Sequence, residues 1–98
     1  MFDYRINEDA IIRELNLTDL SPGEQASTLN LIRTLLQDRA SIRIELALNS
    51  DELTTFNELS TNQAAAEAYL LQKFPNIANM YADELAMIIA QLKIALNI

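Results

Sequence analysis

The chain has no histidine, cysteine, tryptophan or valine, and only one glycine and two prolines in 98 residues. Each absence removes a class of chemistry or architecture. Without cysteine or histidine there is no thiol nucleophile, no imidazole base, no disulfide framework and no zinc site built on those ligands. A β domain needs turn residues about every 8–12 positions, and Gly23 alone cannot supply them or form a glycine-rich phosphate loop. The di-iron bundle motif needs Glu-x-x-His pairs and falls on the same ground. No apolar run reaches the ~18 residues of a membrane span, because residues 85–98 are broken by Gln91, Lys93 and Asn97. Met1-Phe2-Asp3-Tyr4-Arg5 lacks the basic and apolar regions of a secretory signal, so the expected compartment is the cytoplasm.

What is present points to helices. Leucine (16), alanine (13) and isoleucine (11) supply most of an apolar half, and the first two are strong helix formers. The length fits one domain, 1–98, with a modest core. Fourteen acidic side chains against seven basic ones give a net charge of −7. That sign repels phosphate backbones and anionic lipid, so neither nucleic acid nor a membrane surface is an expected partner; it fits a soluble protein, or one that meets a basic partner.

The helix boundaries are punctuated. Asn7 precedes Glu8 and Asp9, a cap with dipole-compensating acids, and Ile6 with Ile11 has the spacing of a hydrophobic staple. Ser21-Pro22-Gly23-Glu24 reads as N-cap, proline at N1 and glutamate at N3, opening a helix expected over about 22–49. Residues 41–48 alternate polar and apolar, but with no partner strand in sight they are assigned to that helix. Ser50 is the expected cap of a short helix carrying Leu53, Phe56 and Leu59. Ser60 with Gln63 is the expected box for a helix over 64–73, stopped by Pro75. Asn76 opens a final helix. The predicted fold is an all-α, compact bundle of four to five helices around one long central helix.

Placed at 100° per residue, the long helix has a narrow polar side of Asn30, Thr34, Gln37, Asp38, Ser41 and Glu45. Its apolar residues, among them Leu29, Leu31, Ile32, Leu35, Leu36, Ile42, Ile44 and Leu46, spread over roughly 260° of the rest, against the ~100° that an ordinary surface helix needs. Such a helix is either central to one chain or shared between chains. Arg33, Arg39 and Arg43 fall inside the apolar arc. They either lay their methylenes over the core and reach water, or pair with carboxylates on another helix or chain, or hold an anion. The last helix carries a main face of Tyr81, Leu85, Ile88, Ile89, Leu92, Ala95 and Leu96. Met80, Met87 and Ile94 recur every seven residues on another side, with Ile98 beyond. That stripe is either the edge of a broad core face or a surface for a partner helix, and Glu84 and Gln91 in the alternate positions disfavour a long coiled coil.

Little reactive chemistry remains. Glu8-Asp9 and Asp51-Glu52 sit in helix first turns, where the dipole accounts for them. Asp83 and Glu84 are adjacent on a helix and point about 100° apart, so they are not expected to converge. Lys73 and Lys93 have no serine at i±3 or i±4 to activate. Tyr4, Tyr69 and Tyr81 read as core-edge aromatics with wet hydroxyls. No enzymatic activity and no cofactor or metal is expected.

The stretch Leu17-Thr18-Asp19-Leu20-Ser21-Pro22 before a long amphipathic helix, an acidic short helix over 50–59, a helix closing on Lys73-Phe74-Pro75-Asn76 and a C-terminal helix form a recognisable order. Over about four-fifths of its length the chain resembles small all-helical bacterial proteins grouped as a domain of unknown function. The likeness rests on caps and apolar spacing, and it carries no functional residues over. The expected function is a non-enzymatic protein-interaction module, self-associating as a homodimer through the long helix, the C-terminal helix or both. The interface candidates are Leu31, Leu35, Arg39, Ile42, Arg43, Leu46, Met80, Met87 and Ile94. The alternative is an acidic regulator that covers a basic partner.

Overall fold

The computed structural model describes residues 4–97. Met1, Phe2 and Asp3 of the N-terminal reading and Ile98 of the seven-residue stripe lie outside them. Among the described residues there are five helices and no strand: α1 (Glu8–Glu14), α2 (Pro22–Ala47), α3 (Ser50–Leu59), α4 (Gln63–Lys73) and α5 (Ile77–Leu96).

Local chemistry sets the boundaries. The Asn7 side chain accepts from the Ala10 amide, and Ser21 Oγ accepts from the Glu24 amide at 3.2 Å. The Glu24 carboxylate takes the Ser21 hydroxyl, so the expected box at α2 closes side chain to side chain. Two caps fall elsewhere than expected. Asn49, not Ser50, caps α3, because its amide oxygen meets the Glu52 amide at 2.8 Å while the Glu52 carboxylate accepts from the Asn49 amide at 3.0 Å. Asn62 caps α4, and Ser60 instead ends α3 by donating to Asn57 O. α2 stops at Ala47, two residues early, where Leu48 turns extended and drops into the core.

The core is assembled from Ile11, Leu15 and Leu17 at one end, Leu29, Ile32, Leu36, Ala40 and Ile44 of α2, Ala66 and Leu70 of α4, and Ile77, Tyr81, Ile88 and Ile89 of α5. The α2 contribution recurs every three or four residues, one helical stripe. Tyr81, expected at the core edge with a wet hydroxyl, is 1 % exposed and stacks on Tyr4 with ring centroids 5.5 Å apart. Burial first, and then the Glu67 carboxylate, pushes its phenol up to about 12.

α3 buries no residue of its own and leans on α4. Phe56 lies 6.5 Å from Tyr69, Tyr69 donates to Glu52 O, and Lys73 Nζ meets Glu52 Oε2 at 2.9 Å. The Asn49 amide first, then the Lys73 ammonium, holds the Glu52 carboxyl below its ordinary value.

The bundle is drawn out along α2, with extents of 47 × 23 × 17 Å. Its radius of gyration is 15.5 Å, where a compact chain of this length reaches about 13 Å. It exposes 6304 Å², about 700 Å² more than scaling gives for an 11.0 kDa monomer.

Candidate interaction face

α2 and α5 run antiparallel, as the bonds between them show. Arg39 Nη2 donates to Gln91 Oε1. One turn further along α2, Arg43 Nη1 lies 3.6 Å from Glu84, 3.9 Å from Asp83 and 3.5 Å from Met80 O. Moving up α2 is therefore moving down α5. Together these bonds hold the middle of α2 against residues 80–91 of α5.

These bonds resolve the reading of the arginines. Arg33 pairs with Glu8 of α1, and Arg43 with carboxylates of α5, so two of the three reach acids on other helices of the same chain. Arg39 takes an amide instead. Asp83 and Glu84, expected to diverge, both come within 4 Å of Arg43 Nη1, which the long arginine side chain carries to a point between the two adjacent carboxylates. Glu84 and Gln91, which break the seven-residue stripe, are the α5 half of a polar seam.

Around α2 the order of residues is then core face, arginines, apolar stripe. Leu29, Ile32, Leu36, Ala40 and Ile44 face inward, Arg39 and Arg43 follow, and Leu35, Leu46, Ile42 and Leu31 come next. Around α5 it is core face, then Glu84 and Gln91, then Met80, Met87 and Ile94. Because the polar residues of the two helices are bonded to each other, both stripes flank one seam and open on the same side. The nine sequence-predicted residues thus form one face.

That face is only partly covered by the chain itself. Leu46 is 82 % exposed and Ile94 81 %, while Leu31, Ile42 and Met87 are each just over half exposed. Leu35, Met80, Arg39 and Arg43 are half-buried. Arg39, Ile42, Arg43, Leu46 and Glu84 line a shallow groove of about 340 Å³. On its far edge α2 carries the exposed Asp38 and Glu45.

The main face expected for α5 is shorter than its sequence. Ala95 and Leu96 are exposed, since the last turn passes beside the 15–20 segment and leaves an open groove of about 320 Å³ there. Leu71 of α4 is also exposed and was not signalled by spacing. Among the described residues no group of three or more acidic side chains could hold a metal ion, and no helix is long and apolar enough to cross a membrane. No family model, curated protein or solved structure matches the chain.

Proposed function

We propose that this chain is a non-enzymatic interaction module that works as a homodimer through the α2/α5 face. The observation that carries this reading is the second apolar stripe of α2, which the chain's own helices leave open opposite a complete core stripe. Leu31, Ile42, Leu46, Met87 and Ile94 together expose the equivalent of about three whole side chains, each worth roughly 1.5–3 kcal/mol on full burial. A monomer rarely leaves a contiguous patch of this kind to water. Changing Met87 to Glu sets a charge in the middle of the face without touching the core. Dissociation of the particle by that substitution supports the reading, and an unchanged dimer places the interface elsewhere.

A second reading, an acidic regulator covering a basic protein, is favoured by the charge distribution. Arg33, Arg43, Lys73 and Lys93 are each engaged by the chain's own carboxylates. The surplus of negative charge is left on exposed residues such as Asp19, Asp38, Glu45, Asp51 and Glu58. Binding to a basic protein by a monomeric chain, weakening steeply with salt, supports this reading over the first.

A further inference from the structure

α3 is held differently from the rest of the bundle. α2, α4 and α5 each bury at least two side chains in the core, and α3 buries none. Its inward side is Glu52, Leu53, Phe56 and Leu59, all half-buried, and the rest of the helix is exposed. Its polar contacts with α4 converge on one residue. The Glu52 carboxylate takes Lys73 Nζ at 2.9 Å, and the Glu52 carbonyl takes the Tyr69 hydroxyl at 3.3 Å. Both ends of α3 are places where the backbone can turn without disturbing the core. Leu48 and Asn49 are extended after α2, with Leu48 itself buried as the anchor. Residues 60–64, between α3 and the body of α4, are all exposed.

We infer that α3 is a strap: it comes off α4 as one unit while α1, α2, α4 and α5 stay packed, and its release uncovers Leu53, Phe56, Leu59 and the Tyr69 ring. Segments with few buried apolar contacts open at free energies well below that of global unfolding. The Glu52–Lys73 pair adds little to the closed form, because water reaches both side chains. α4 does not follow, since Ala66 and Leu70 hold it in the core at 2 % and 0 % exposure. A ten-residue helix is marginal in water by itself, so α3 unwinds once it is off α4 and its amides open together. The Asn49–Glu52 capping box lies wholly within this segment, so the strap carries its own start signal when it closes. The inference stands apart from the homodimer reading, since none of the nine face residues is on α3 or α4.

Native-state hydrogen exchange of the full chain in rising, sub-denaturing urea reads the opening directly. The amides of residues 53–59 are expected to share one opening with one urea dependence, faster than the amides at the centres of α2 and α5. Those around Leu70 are expected to stay with the slow set. Two substitutions separate the strap from the bundle. Ile32→Val destabilises the core in the closed and the open form alike. It should speed the slow set roughly two- to tenfold and leave residues 53–59 unchanged. Phe56→Ala weakens only the closed form and should speed residues 53–59 at least about tenfold. Both changes are mild enough to keep the fold, which circular dichroism checks. The strap is overturned if residues 53–59 exchange only with the slow set, if Ile32→Val speeds them equally, or if the amides around Leu70 open with them. It is also overturned if residues 53–59 exchange one by one with no common urea dependence, or if Phe56→Ala leaves them unchanged.

Discussion

Truncation of Leu46 to alanine separates a shared face from an ordinary exposed leucine. In a lone chain the substitution removes a side chain that is 82 % exposed. Surface changes of that kind stay within about 0.5 kcal/mol, and alanine is at least as good a helix former as leucine. In the dimer the same side chain is covered, and losing it forfeits roughly 2 kcal/mol per chain. Two-fold symmetry applies the loss twice, so association weakens by about 4 kcal/mol, on the order of 10²–10³-fold. Leu36→Ala is the internal contrast. That side chain is 3 % exposed in the chain's own core, and its truncation should cost about 2–5 kcal/mol of folding stability. Sedimentation velocity over a concentration series reads the first effect, and urea unfolding of dilute protein reads the second. A Leu46→Ala protein that sediments and melts like the unmodified chain would refute the reasoning.

Other perturbations have definite signs. Asn49→Ala removes the side-chain half of the α3 capping box, the acceptor of the Glu52 amide, and should cost about 1 kcal/mol in urea unfolding, an effect that Ser50→Ala should not reproduce. The Tyr81 phenol, held up at about 12, should give a tyrosinate absorbance step at that pH, and Tyr81→Phe should abolish it. Its folded value lies above the ordinary 10.0, so its contribution is full below that pH and is lost as pH rises through about 12. The loss amounts to on the order of 2–3 kcal/mol and is visible as a lower unfolding midpoint in base. Met87→Glu should lower particle mass while leaving the thermal midpoint of dilute protein within a few degrees.

Helix number and class were legible because caps, proline stops and three-to-four spacing are local signals. Where those signals competed, the shorter reach won. Asn49 displaced Ser50 because a residue one position earlier places Glu52 three positions on, whereas Asn62 displaced Ser60 because α4 starts at Gln63 and the Asn62 side chain takes the Ala65 amide. The wide apolar arc of α2 was also legible, but its division into a core stripe and an open stripe was not. Periodicity reports which residues share a side, whereas coverage depends on which helices dock there. The seam explains the rest. Arg39 and Arg43 stood out in the apolar arc, yet their partners Gln91, Glu84 and Asp83 lie forty or more residues away and become meaningful only once α2 and α5 are antiparallel. Tyr81 shows a similar limit. Its helical spacing placed it on the inward face of α5, but the Tyr4 ring stacked on it comes from a distant segment that no local pattern encodes.

Sedimentation equilibrium of the unmodified protein tests the shared α2/α5 face most directly. The mass should rise with concentration to twice 11.0 kDa and stop there, as a closed two-fold interface requires. A particle that remains at 11.0 kDa through tens of micromolar, with its fold intact, would contradict the account.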